Sequence, residues 1–307
     1  MLRFVFRRLL SAVPTIFIVV SLSFFLIRFA PGGPFNVERA LPPQIMENLM
    51  RAYRLDQPLA TQYLNYLWNV LHLDFGPSYI YRDFSVTELI GQSLPYSLTL
   101  GSFALIIAVF GGVAVGVAAA LRQNRPLDYA LMSVATVGLT VPNFVVGPVL
   151  SLIFAVILHW ASAGGWGQGG PRDLVLPVIS LALPQLAIFA RLTRGSMIET
   201  LRADHIRTAR AYGLPPRVVV VVHALRGALL PVVTYLAPAA AAVLTGSVVI
   251  ETIFSIPGVG RYFVTGALNR DYTLVMGTVV LIAVFIIVFN LIVDLLYALL
   301  DPRVHYD

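Results

Sequence analysis

The chain has 307 residues, of which 58% are hydrophobic and only 12% charged, with 21 basic against 15 acidic groups. Soluble domains carry about 25% charge, so a water-soluble class is excluded, and the +6 excess, carried wholly by arginine between apolar runs, suits membrane topology better than nucleic-acid binding. Cysteine and lysine are absent, which excludes disulfides, thiol chemistry and any phosphate loop that needs a lysine.

Apolar runs long enough to cross a hydrocarbon layer about 30 Å thick recur along the chain. The first, Leu9 to Phe29, follows Arg3, Arg7 and Arg8. A cleaved signal has an apolar region of about 7–15 residues with small residues at the cut. This run is longer and ends in Arg28-Phe29-Ala30-Pro31, so a retained anchor is expected.

Residues 31–94 form the only soluble stretch large enough to carry structure. Pro43 and Pro58 sit where helices begin, Ile45, Leu49 and Tyr53 share one face, and Tyr63, Leu67 and Leu71 repeat the spacing. Two amphipathic helices are predicted. Either they pack on the outer ends of membrane helices or they help receive an external partner.

Further spans are predicted at about Pro95–Leu121, 138–158, Leu174–Ala190, Leu229–Val249 and Val275–Leu296. That makes six crossings. Around 129–160, Pro142 and Pro148 either kink one long helix or separate a cytoplasmic helix from the span. Arginine placement puts both termini in the cytoplasm. Ser78 and Gln168 are then expected to be reachable from outside and Tyr212 from inside. The stretch Gly164 to Gly170 reads as a flexible outer turn in which Gly167→Val should do little.

The cytoplasmic loop 191–228 is long, basic and helical in pattern. Glu199 to Ala211 reads as one helix, stopped by Gly213-Leu214-Pro215-Pro216, with Gly213 suited to the C′ position and its positive φ. Spacing leaves two readings open: a docking knob whose arginines meet acidic partners, or a connector whose arginines only enforce topology.

Within the spans, Asp294 is the clearest acid, with Asn290 one turn away on the same face. A secondary transporter needs intramembrane ionisable groups, and one acid near a helix end is thin support for it. A membrane hydrolase needs a nucleophile beside a positioned base, and no short serine motif of that kind is present. His72 and His159 stand apart, without the paired spacing that metals favour.

Arg207-Thr208-Ala209-Arg210-Ala211 with Gly213, then His223-Ala224-Leu225-Arg226 and Ala228-Leu229-Leu230-Pro231-Val232, resembles the coupling loop of binding-protein-dependent ATP-driven importers, in their peptide permease branch. Arg207 replaces the acidic residue that opens the motif in the wider superfamily, and Tyr212 stands where lysine is usual. The resemblance continues through Gly246, Glu251-Thr252-Ile253-Phe254, Pro257-Gly258-Val259-Gly260, Asn269-Arg270-Asp271-Tyr272 and Asp294 to Arg303. Ala30 to Phe35, with Glu38-Arg39 and Leu41-Pro42-Pro43, is most similar to the first membrane subunit of oligopeptide permeases.

The resemblance implies an all-α integral membrane protein with the type I ABC importer permease fold. Its expected divisions are 1–30 (N-terminal cytoplasmic segment and first helix), 31–94 (external loop) and 95–307 (permease core with coupling loop 191–228). It implies a multi-pass subunit of the bacterial cytoplasmic (inner) membrane, forming half a pore for oligopeptides; dipeptides, nickel or another small solute are the alternative cargo. The implied partners are a homologous second permease subunit, two cytoplasmic ATPase subunits and an external substrate-binding protein. No cofactor is expected in this chain, since ATP and Mg would be bound by the ATPases, and the chain is not expected to be an enzyme. The implied coupling residues are Arg207, Thr208, Ala209, Arg210, Ala211, Tyr212 and Gly213, with Asn290 and Asp294 as intramembrane polar candidates.

Overall fold

Prolines and caps set the beginnings of the helices, and the apolar runs set their length. The computed structural model describes residues 2–29, 42–81 and 83–300. Met1, residues 30–41, Arg82 and 301–307 lie outside the described residues, and with them the Ala30 to Leu41 part of the resemblance and its last stretch, Asp301-Pro302-Arg303. Among the described residues no strand forms, apart from an isolated bridge between Pro77 and Ser85. The chain runs through α1 (Leu2–Phe29), α2 (Pro43–Ala52), α3 (Leu59–Leu71), α4 (Val86–Leu121), α5 (Pro126–Thr140) and α6 (Asn143–Leu150), which continues into a π-helical stretch, Ser151–Ile157. After α7 (Pro171–Leu201) and α8 (Asp204–Ala211), the short α9 (Pro216–Val218) passes through a second π-helical stretch, Val219–Ala224, into α10 (Leu225–Ala228). The last three are α11 (Leu230–Ile253), α12 (Val259–Leu268) and α13 (Tyr272–Leu300).

Among the described residues, five helical segments are long and apolar enough to cross a membrane: Arg8–Phe29, Val86–Leu121, Pro171–Leu201, Leu230–Ile253 and Tyr272–Leu295. The remaining predicted span is a bent pair. α5 and the helix from Asn143 to Ile157 meet at 107°, because Pro142 leaves the helical region (ψ 145) and serves as N-cap of α6. Counting the pair as one span gives six.

Several span ends differ from expectation. α4 begins at Val86 and carries Pro95 inside it. Its start is a capping box, in which the Ser85 N–H donates to Glu88 Oε2 (2.8 Å) and the Glu88 N–H to Ser85 Oγ (3.2 Å). α2 and α3 begin where expected, Pro43 opening α2 and Pro58 capping α3. The buried face of α3 runs through Tyr63, Tyr66, Leu67 and Val70, the i, i+3, i+4, i+7 set, and leaves Leu71, placed on that face by the sequence reading, 78% exposed.

Contacts divide the described residues into two compact units, those of Leu2–Pro95 with Gly258–Phe285, and those of Tyr96–Pro257 with 286–300. Gly258–Phe285, expected inside the core that starts at 95, thus groups with the first 95 residues. The core of the first unit gathers Val20, Phe24, Tyr66, Val86, Leu274 and Met276. Asp271 ties it together. Its Oδ1 accepts from the Leu274 N–H (3.1 Å), capping α13, while Oδ2 accepts from Ser78 Oγ (2.5 Å) and the N–H groups of Tyr79 (2.9 Å) and Ile80 (3.2 Å). Ser78 is therefore fully buried, not reachable as the sequence reading expected.

The second unit is built around α7, whose apolar window is 56% buried against 11% for α1. α4 approaches it through Gly112 and Gly116. A Cβ on Gly112 would fall 2.8 Å from the Leu186 carbonyl oxygen, and one on Gly116 2.5 Å from that of Ala190. Small residues four apart let membrane helices touch backbone to backbone. The glycine loop after residue 163 is likewise built, not slack: Gly165 N–H donates to the Phe254 carbonyl (2.6 Å), and Trp166 packs edge-on against Tyr96 at 4.8 Å. Gly167 holds φ +52 with its Cβ direction against the Asp173 carboxylate, so Gly167→Val is not the neutral change expected from sequence.

Candidate coupling site

Where one helix was expected from Glu199 to Ala211, the chain makes two. α7 ends at Leu201, Ala203 turns extended (ψ 152), and Asp204 opens α8. Asp in the first turn and Arg210 in the last both suit the helix dipole, and aspartate favours helix starts over helix interiors. The break rotates α8 so that Ile206 (0% exposed) and Ala209 (6%) sink into a cluster with Ala120, Met197, Val219, Ala224 and Ala228. Burying Ile206 alone contributes about 1.5–3 kcal/mol, enough to seat a helix this short. The Asp204–Arg207 pair, 3.5 Å apart with both side chains exposed, adds little.

Of the seven residues singled out, the structure buries Ala209 and exposes Arg207, Thr208, Arg210, Ala211, Tyr212 and Gly213. Tyr212 is 82% exposed. The helix closes in a Schellman turn: Gly213, at φ +74, donates its N–H to the Arg210 carbonyl (2.9 Å), and Leu214 donates to that of Ala209 (3.3 Å). Pro215 is extended (ψ 145) and Pro216 restarts the chain as α9, so the tip turns sharply. The result is a short helix clamped on its apolar ridge, presenting two guanidinium groups and an aromatic ring. Such a surface can receive acidic or aromatic groups of a partner.

The pair Asn290 and Asp294 is separate from this surface in the chain and is placed on α13, with Asn290 Nδ2 exposed and donating to the Ile286 carbonyl (2.9 Å) and Asp294 half-buried. Asp294 is not the sole clear acid within a span. α11 continues past the predicted end to Ile253 and so encloses Glu251, fully buried and accepting from Ser97 Oγ (2.7 Å). A hydrogen bond to the carboxylate lets the helix extend over it. Asp128, in the first turn of α5, is 1% exposed and meets Arg194 of α7 through two bonds, Nε to Oδ1 (2.6 Å) and Nη2 to Oδ2 (2.7 Å). Oδ2 also accepts the Asn124 N–H (2.9 Å). Sequence reasoning missed this pair; the acid beside Pro126 at a helix start was its one local signal.

Residues 112–306 match the family described as the binding-protein-dependent transport system inner membrane component, and residues 1–101 match the N-terminal family of the same membrane components. The chain is 51% identical over 306 residues to the oligopeptide transport system permease protein OppB of Escherichia coli K12, covering 100% of both. The OppB of Haemophilus influenzae is likewise 51% identical over 306 residues, covering 100% of both. The dipeptide transport system permease protein DppB of Bacillus subtilis is 46% identical over 304 residues, 99% of this chain and 98% of that one. Among solved structures, an amino acid ABC transporter with histidines is similar at TM-score 0.50 and 19% identity, over 71% of this chain and 95% of that chain. At that identity it shows the fold alone.

Proposed function

The chain belongs to the family of binding-protein-dependent transport system inner membrane components, and from that premise we propose that it is the pore-forming permease subunit of an ATP-driven oligopeptide importer. The observation that carries the cargo is the end-to-end identity of 51% with oligopeptide permeases, against 46% with a dipeptide permease. In this reading the subunit sits in a bacterial cytoplasmic membrane with both termini inside. It joins a homologous permease subunit, two cytoplasmic ATPases that bind ATP and Mg, and an external binding protein, and has no catalysis of its own. The residues from Arg207 to Gly213 form the surface that receives an ATPase. Its motion reaches the spans through the cluster that seats Ile206 against Met197 of α7. Asn290 and Asp294 serve helix packing or pore closure and carry no protons.

Reconstitution with these partners in vesicles tests the reading. Uptake of a labelled pentapeptide is expected to require ATP and the binding protein and to exceed that of a labelled dipeptide. Preference for the dipeptide would move the chain to the dipeptide branch. Uptake that collapses with uncoupler at constant ATP would revive ion coupling through Asp294.

A further inference from the structure

The residues of α3, set about 100° apart around its axis, fall into three lengthwise sectors. Tyr63, Tyr66, Leu67 and Val70 form the packed one. Beside it stand Ala60, Leu64, Trp68 and Leu71, all exposed, with Leu64 at 64% and Trp68 at 65%. Thr61, Gln62, Asn65 and Asn69 form the third, and no residue of the helix is charged. A helix on the watery surface of a protein needs only a packed face and a polar face. The additional apolar sector marks a surface that meets something other than water.

The packed sector fixes where α3 lies along α1. The Tyr63 hydroxyl shares a hydrogen bond with Ser21 Oγ (2.7 Å), and its ring centre is 5.1 Å from that of Phe25 and 5.4 Å from that of Phe24. Phe25 and Ser21 stand about 6 and 12 Å of helix rise short of Phe29, where α1 ends. The span Arg8–Phe29 has 22 residues, so it is about 33 Å long and little longer than a hydrocarbon layer of about 30 Å. Tyr63 thus reaches a level inside the span, and α3 lies beside the last turns of α1.

The polar sector gives the direction. Gln62, Asn65 and Asn69 line the same cavity as Arg28, next to the end of α1. The polar side of α3 therefore turns toward the membrane surface, and the sector of Leu64 and Trp68 turns away from it and from α1.

We propose that α3 is an interfacial helix whose partner is the lipid bilayer. It lies in the leaflet at the Phe29 end of α1, with Leu64 and Trp68 dipped among the acyl chains and Thr61 and Asn65 among the headgroups. A soluble protein stops at the headgroups, above the level that Tyr63 fixes, and the apolar sector offers it no charge to recognise. Tryptophan suits this boundary because its ring is apolar and its N–H is polar. Leu71, in the last turn, sits at the headgroup level, which aqueous reagents reach. The inference rests on α1 crossing the bilayer, whatever the cargo; in the topology proposed above the leaflet is the outer one.

Tryptophan fluorescence of the full chain in lipid nanodiscs tests it, since the difference between the unaltered chain and Trp68→Phe isolates the emission of Trp68. The nanodiscs are made of phosphatidylcholine carrying bromine either near the headgroup end of the acyl chain or near its far end. Trp68 emission is expected to be quenched, and more by the near bromine than by the far one. Leu64→Asp should reduce that quenching about twofold or more, because a carboxylate resists entry among acyl chains. Asn65→Asp, in the polar sector, should leave it unchanged. Emission indifferent to bromine, stronger quenching by the far bromine, or equal losses in the two variants would overturn the proposal. Emission that ignores bromine and changes only when the external binding protein is added would give the face to that protein instead. Peptide uptake by the full complex alongside any of these would leave the transport reading standing.

Discussion

Gly213 occupies left-handed space at φ +74 with nothing within 4 Å of its Cβ direction, so the obstacle to a side chain there is conformational, not steric. A β-branched residue costs about 1–2 kcal/mol in that region. This is small against folding and large against a docking equilibrium, so Gly213→Val should insert normally yet separate ATP hydrolysis from peptide uptake in reconstituted vesicles. The control is Gly170→Val, since Gly170 has φ −76 and open space. Wild-type coupling in Gly213→Val would make the tip a mere connector. Asp128 and Arg194 stand at the other extreme, a close pair whose energy is in the fold. Asp128→Asn should cost about 1.5–3 kcal/mol, the range for losing a charge-assisted hydrogen bond, because Arg194 is 29% exposed and water meets part of the charge left behind, read as a lower unfolding midpoint in detergent. An unchanged midpoint would mean that solvent already screens the pair. Gly213 was legible because a C′ glycine before two prolines is a local pattern, whereas Asp128 and Arg194 are 66 residues apart and paired only by the packing of α5 on α7.

At the scale of elements, α4 against α7 gives the sharpest case. Adding a methyl at Gly112 or Gly116 drives it into the α7 backbone, so each Gly→Ala should lower the thermal midpoint by the equivalent of about 1–3 kcal/mol. Gly195→Ala, within α7 and facing open space, should hold or raise it. Equal effects at the three sites would mean that helix propensity, not close approach, governs. Helix existence was readable from apolar length, and α2 and α3 from their prolines. Ends are not: Ser85 and Glu88 form a complete capping box, whereas the apolar run that marks the span begins only at about Pro95. The break before Asp204 escaped for a different reason. Asp204 favours a helix start but gives only a weak local signal within a run of helix formers, and the burial of Ile206 and Ala209 completes the selection of the turn.

For the molecule as a whole, the proposed topology puts both termini inside, and the cysteine-free chain lends itself to labelling. Leu71, 78% exposed, replaces buried Ser78 as the outer probe, alongside exposed Gln168. Cysteines at those two positions should react with an impermeant thiol reagent in intact cells, and one at Tyr212 only after permeabilisation. Labelling at 212 from outside would reverse the topology and remove the ATPase-docking proposal with it. The Schellman turn adds a consequence for how such a partner would recognise the tip. The carbonyls of Thr208, Ala209 and Arg210 are already taken by the N–H groups of Tyr212, Leu214 and Gly213. A partner docking there finds those three carbonyls engaged and meets the exposed side chains of Arg207, Arg210 and Tyr212. If an ATPase docks here as proposed, a substitution at the 82% exposed Tyr212 is expected to change which partner is accepted while the shape of the helix stays as it is.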